Sequence, residues 1–385
     1  MSVDPDSYNF DDIRPYNNNE VSAAIEGLIQ NEDFPEALRY IMPDLDWESF
    51  SESMRRCKTK DEFKSILGYN TVKMVAGKTT FSLTISGRSR LTQGTPYTFI
   101  SNHRDIVLDA AFLNAMLYEI GFGLTQVAIG DNLLIKSWIK DVVRLNNAFI
   151  VKRNLPARQM MEASKVLSAY IRHTITETKE SIWIAQREGR AKDSNDRTQT
   201  GILKMFNMSG KADPLTNLIE LNIAPVAISY EYDPCDFLKA QEFQQKRDDP
   251  EFVKSKRDDL LAMETGILNN KGRVHITIGD PINPILQTID KSTERNEAFA
   301  KIAATIDREI YKHYRFYPGN YVAYDLLNQT RRFAAHYSLD EKKQFEAYLN
   351  GQLEKIVLPN KDGAFLRKKL LEMYSNPLKN YLSTQ

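Results

Sequence analysis

The stretch TFISNHRDIVLDAAFLN, residues 98–114, changes character in its middle. TFIS reads as the end of a strand, Asn102 and His103 as a turn, and LDAAFLNAML as a helix with an apolar face that begins near Asp105. A strand passing through a polar turn into a helix is the building unit of an α/β sheet. In such sheets ligands bind beyond the carboxyl ends of the strands, which is where His103 falls. The fold therefore depends on whether the unit recurs.

It recurs from about residue 78 onward. TTFSLTISG, YTFIS, TQVAIG, NAFIVKR, SIWIAQR, IAPVAISYEY and GRVHITIGDP are short, rich in β-branched and aromatic residues, and ended by turn formers. Helical patterns at 105–119, 131–144, 156–179, 250–266 and 290–314 lie between several of them. This alternation predicts an α/β fold with a mixed, largely parallel sheet flanked by helices. The chain of 385 residues has room for helical additions at both ends. Val21, Ala24, Ile25, Leu28 and Ile29 fall at helical spacing, and DEFKSILGYNTVKMVAGK reads as a further helix. The expected division is a helical region over 1–77, an α/β domain over 78–318 and a helical region over 319–385.

Composition excludes several classes. Lys plus Arg and Asp plus Glu both number 51, so there is no general basic field and no nucleic-acid partner is expected. Cys57 and Cys235 stand far apart with no CxxC or Cys/His cluster, so no zinc site is suggested, and a reducing compartment fits. The opening MSVDPDSYNFDDIRPYNNN is polar and acidic, unlike a signal peptide. No apolar run reaches the roughly 18 residues of a membrane span. Work on lipid would then proceed from the membrane surface. GAFLRKKLLEMYSNPLKNYL sets Leu366, Leu370, Met373 and Tyr374 on one helical face beside Arg367, Lys368 and Lys369. That face suits either an interfacial helix or packing on its own domain.

His103-Arg104-Asp105 shares three letters with a kinase catalytic loop, but Ala110 occupies the position of the required Asn, and no Gly-rich phosphate loop precedes it. His103 fits better as a general base, oriented through Nδ1 by a carboxylate further along the helix. Two other strand ends carry cations. NAFIVKR closes with Lys152-Arg153, and SIWIAQR runs into Glu188-Gly189-Arg190. Guanidinium groups bind phosphate in bidentate fashion, and a glycine lets backbone approach a ligand. One base with two arginines suits a phosphorylated alcohol.

These segments, in this order, resemble the four blocks of the glycerolipid acyltransferase superfamily, which includes glycerol-3-phosphate and 1-acylglycerol-3-phosphate acyltransferases. NHRDIVLD resembles N-H-x-S-x-x-D, and NAFIVKR resembles G-x-[IF]-F-I-x-R with Asn147 at the glycine position. QREGRAKD resembles F-x-E-G-[TG]-R-S, and IAPVAISYE resembles the apolar strand with Pro. VHITIGDPI resembles the strand ending in G-E-P-I, so the likeness spans roughly residues 78–285. Two departures stand out. The family's Asp position is Leu108, so Asp109, one residue later, is expected to partner His103, with Asp105 as the alternative. The third block lacks a residue between Gly189 and Arg190, so Arg187 or Lys192 is an alternative to Arg190.

The resemblance implies acyl transfer from a thioester, acyl-CoA or acyl carrier protein, to the hydroxyl of a glycerol-phosphate or lysophosphatidate acceptor. His103 would deprotonate that hydroxyl for direct attack, with no acyl-enzyme. Arg153 would hold the acceptor phosphate, with Glu188, Gly189 and Arg190 completing the site. Asn102, Arg104 and Lys152 are grouped with these substrate-binding residues, and Pro225 would shape the acyl pocket. No metal or bound cofactor is expected. A cytoplasmic protein, peripheral on the inner face of the cell membrane, is implied. The alternatives are an acyl-thioester hydrolase and a non-catalytic lipid- or partner-binding protein.

Overall fold

The computed structural model describes residues 8–385. The first seven residues of the polar opening stretch lie outside the described residues, and with them part of the reading against a signal peptide.

Seven strands form one sheet: β1 Thr80–Ser86, β2 Thr98–Ser101, β3 Gln126–Gly130, β4 Ala148–Val151, β5 Ile182–Ala185, β6 Ile223–Tyr230 and β7 Gly272–Ile278. Each falls within one of the seven stretches read as strands. Their order is β1-β7-β6-β2-β5-β3-β4. β2 to β6 run parallel to one another. β7 is antiparallel to β6, and β1 is parallel to β7 at the edge. The sheet is thus mixed and largely parallel, with helices on both faces. Every residue of β2 and β6 is buried, as expected of central parallel strands covered on both sides. Alternation along β2 sends Ile100 into one core layer with Ile182, Ile223, Ile302 and Ile306, and Phe99 into the other with Phe112, Leu113, Trp183 and Ile276.

Helices follow the expected pattern with later starts. Leu108–Glu119 begins three residues after Asp105, because the Asp105 carboxylate accepts from the backbone amides of Val107 and Leu108 at 2.8 and 2.7 Å and so acts as a cap outside the helix. Thr200–Asn207 and Pro214–Ile219 lie outside the expected helical stretches, and Asp236–Asp248 has no apolar stripe to announce it. The buried face of Asp236–Asp248 consists of Asp236, Lys239, Ala240, Glu242 and Gln244, so hydrophobic periodicity could not reveal it.

Before β1, helices Asn18–Gln30, Asp33–Ile41 and Trp47–Arg56 enclose a core of Val21, Ile25, Leu28, Phe34 and Met54. A continuous helical stretch then runs through Lys60–Phe63, a π-helical turn at Lys64–Tyr69 and Asn70–Thr79. After the sheet, Pro318–Asn328, Leu339–Glu354 and Gly363–Leu382 form another core with Val322, Phe345, Leu366 and Leu370. Leu366, Leu370, Met373 and Tyr374 are all buried. Of the two readings of that helix face, packing within the molecule is the one realised. Among the described residues, no helix is long and apolar enough to cross a membrane.

Candidate active site

The turn after β2 is built around one carboxylate. Asp109, in the first turn of the helix, is fully buried and lies 2.7 Å from His103 Nδ1 through Oδ2. The same oxygen accepts the backbone amides of Arg104 at 2.6 Å and Asp105 at 3.0 Å. Burial alone would push this carboxyl up, but the bond from His103 and the two backbone amides outweigh it and hold Asp109 below the usual carboxylate range. The Nδ1 contact leaves Nε2 as the other ring nitrogen for chemistry. The imidazole packs edge-on against Trp183 with ring centroids 5.7 Å apart, and the indole donates to Ser101 Oγ at 3.0 Å.

Asp105 does a different job. Besides capping the helix, it is fully buried, and burial together with repulsion from Asp109 pushes its carboxyl up. A Cβ on Gly266 would lie 2.1 Å from Asp105 Oδ2, so the glycine makes room for it. Between the two candidate partners of His103, the geometry brings Asp109 to the ring and Asp105 to the helix start.

Arg104 is held through its amide, its carbonyl and both terminal guanidinium nitrogens. Its amide goes to Asp109, and its guanidinium forms a bidentate pair with buried Asp196, at 2.7 and 2.5 Å. Tyr314 also bonds Asp196 at 2.5 Å, and the Arg104 carbonyl accepts from buried Lys239 Nζ at 2.8 Å. Lys239 is itself paired with Asp233. The Asn102 side chain bridges to β6, donating to the Ile228 carbonyl at 2.9 Å and accepting its amide at 2.8 Å. Pro225 sits in fully buried β6, with its carbonyl accepting the Gly279 amide at 2.8 Å. Asn102, Arg104 and Pro225, which the resemblance grouped with the substrate-binding residues, are not among the residues that line the cavity beside His103.

That cavity, of about 1280 Å³, runs along the carboxyl edge of the sheet. Its lining includes the apolar residues Ile106, Val107, Ala110, Val127, Trp138, Ile139 and Val142. Phe34, Leu38 and Ile41 of Asp33–Ile41, and Leu67 and Val72 in and after the π-helical turn, also line it, so the N-terminal helices supply part of the apolar lining. The lining also carries the cations Lys64, Lys152, Arg153, Arg187, Arg190, Lys192 and Lys254, together with Asp61, Glu188, Gly189 and Asp259. His103 lines the same cavity.

Local backbone explains how the cations are held. Arg153 donates its amide to Asp131 Oδ1 at 3.0 Å, and its guanidinium comes within 3.5 Å of Glu188. A Cβ on Gly130 would meet Arg153 Nε at 2.7 Å, so only glycine leaves that path clear. Asn147, at the family's glycine position, has φ of 67°, a left-handed conformation that asparagine tolerates. Gly189 has φ of 66° with nothing near its missing side chain, so its need is conformational rather than steric. Arg187 Nε and one Arg190 terminal nitrogen are buried yet lack any hydrogen-bond partner among the described residues. Lys192 is paired with Glu242, and burial lowers its ammonium to about 8.

Residues 82–229 match the model of the Acyltransferase family, from β1 almost to the end of β6. The match agrees with the likeness drawn from the four motifs. No curated protein matches the chain. Among solved structures, the chain is similar to the crystal structure of the 1-acyl-sn-glycerophosphate (LPA) acyltransferase, PlsC, from Thermotoga maritima. That similarity covers 75% of this chain and 95% of that one at 10% identity, with a TM-score of 0.35, a likeness too distant to carry weight by itself.

Proposed function

We propose that the protein is an O-acyltransferase that moves a fatty acyl group from a thioester donor to the hydroxyl of a glycerol-phosphate or lysophosphatidate acceptor. One observation carries this reading: His103 of the His103–Asp109 pair lines a cavity that is walled both by many apolar side chains and by a set of incompletely paired cations. The apolar side chains suit an acyl chain, and the cations suit a phosphate. His103 Nε2 takes the acceptor proton as the hydroxyl attacks the thioester carbonyl, and Asp109 stabilises the imidazolium that forms. Arg153, Arg187 and Arg190 hold the phosphate, and Gly189 shapes the turn that presents Arg190. Lys152 and Glu188 line the same cavity. The leaving thiolate needs little assistance, so this reading calls for no metal or resident cofactor.

We read the helices of 1–77 and 319–385 as additions to an acyltransferase domain over 78–318, and the protein as peripheral on a membrane that supplies the acceptor. The test is product analysis. Purified protein receives acyl-CoA or acyl carrier protein with glycerol 3-phosphate, with lysophosphatidate, or with no acceptor. Acylated acceptor supports the reading and names the branch. Free fatty acid formed equally with and without acceptor would make it a hydrolase instead.

A further inference from the structure

The buried side of Asp109 presents an accounting problem. Its Oδ2 takes three donors, but Oδ1 is buried and takes none among the described residues. Two more buried oxygens nearby are in the same condition, Asp105 Oδ2 and the hydroxyl of Tyr230. Tyr230 is the last residue of β6, and burial together with the charges of Asp109 and Asp105 pushes its hydroxyl well up. Its ring stacks on Phe112 of the helix that carries Asp109, with centroids 6.4 Å apart. Buried polar atoms in folded proteins find partners. Here two are carboxyl oxygens and one is a phenol, whose hydroxyl carries a donor hydrogen whatever the protonation of its neighbours.

We propose that Tyr230 is a positioning residue of the His103–Asp109 pair, donating its phenolic hydrogen bond to Asp109 Oδ1 and so fixing the carboxylate whose other oxygen faces the imidazole. The inference rests on the reading of His103 as general base. Asp105 Oδ2 is the competing acceptor, but charge decides between them. Asp109 is held ionised by its donors, whereas burial and Asp109 itself favour the neutral form of Asp105. A phenol donates more strongly to the charged oxygen. The groups that face this spot are His103 and Asp105 from the β2 turn, Asp109 from the following helix, and Asp233 and Cys235 beyond β6. Lys271, at the start of β7, acts on Asp105. All of these remain in place when only the phenolic oxygen is removed.

A donor on Oδ1 spreads the charge of Asp109 away from His103. Removing it leaves that charge more concentrated on the imidazole side, which favours the imidazolium. In Tyr230→Phe the His103 ring therefore titrates at higher pH than in wild type, by several tenths of a pH unit, followed by ¹⁵N NMR of the imidazole. If the enzyme turns over, the acid limb of kcat/KM moves in the same direction while the acceptor KM stays unchanged. Site-specific 3-fluorotyrosine at position 230, a stronger donor of the same shape, moves the titration the opposite way, and it serves if Tyr230→Phe does not fold. Superimposable His103 titrations in wild type and a folded variant would overturn the proposal, even with a lower melting temperature, since that pattern marks a packing role alone. The NMR measurement needs no turnover, so failure of every acyl-transfer assay would sink the functional reading while leaving this question decided by the titration.

Discussion

The two ends of the His103 region treat positive charge in opposite ways. Beneath the turn, Arg104 and Lys239 are buried, and their charges meet Asp196 and Asp233. Facing the cavity, Arg187 and Arg190 keep nitrogens with no partner, and Arg153 has only a loose contact with Glu188, which is 70% exposed. A buried donor left without a partner is costly. The paired cations anchor the turn after β2, and in the proposed function the unpaired nitrogens would meet an anionic acceptor.

This contrast can be broken from either side. The largest effect is expected beneath the turn. Arg104→Met leaves Asp196 buried and uncompensated, and should cost about 3–5 kcal/mol of stability in a denaturant titration. A loss below about 1 kcal/mol would show that the pair is not the anchor it resembles. On the cavity side, Arg190→Ala should leave stability within about 0.5 kcal/mol. It should raise the acceptor KM about tenfold to a hundredfold, the usual worth of a hydrogen bond to a charged group. An unchanged KM with reduced stability would reverse the two roles.

A third test concerns a carboxylate in the paired interior. Asp236 is fully buried, and burial pushes its carboxyl up to about 7, although Tyr348 and Tyr374 each donate to it at 2.6 Å. The folded state therefore binds a proton that the unfolded chain has already released. Stability from this group is fully present below the unfolded carboxylate range, near pH 4, and falls as pH rises toward about 7. Asp236→Asn should flatten that part of the stability profile, and an unaltered slope would assign the pH dependence elsewhere. The smallest effect belongs to Asn147→Gly. The left-handed backbone accepts either residue, so stability should change by no more than about 0.5 kcal/mol. A larger loss would give the bond from Lys60 Nζ to the Asn147 side chain, 3.1 Å, more weight than the backbone.

The same contrast explains what the sequence could disclose. All seven strands were legible because each is short, apolar and closed by a turn, and the His103 and Arg153 segments stood out at strand ends. Choosing between Asp105 and Asp109 needed geometry, since both lie near the helix start and only the backbone shows which one caps. Lys239 and Asp196 were invisible because their pairing crosses 135 and 92 residues from Arg104 and follows no local spacing. Trp183 had no signal beyond its place in an apolar strand. The apolar wall of the cavity was hidden for a related reason: helices that read as a separate region contribute Phe34, Leu38 and Ile41 to it.

The most direct measurement compares wild type with His103→Ala in acyl transfer to a glycerol-phosphate or lysophosphatidate acceptor, with melting curves recorded for both. The account predicts a rate lower by a factor of about 10²–10⁴, the usual cost of losing a general base, with little change in melting temperature. Equal rates in two folded proteins would contradict it and remove His103 from the chemistry.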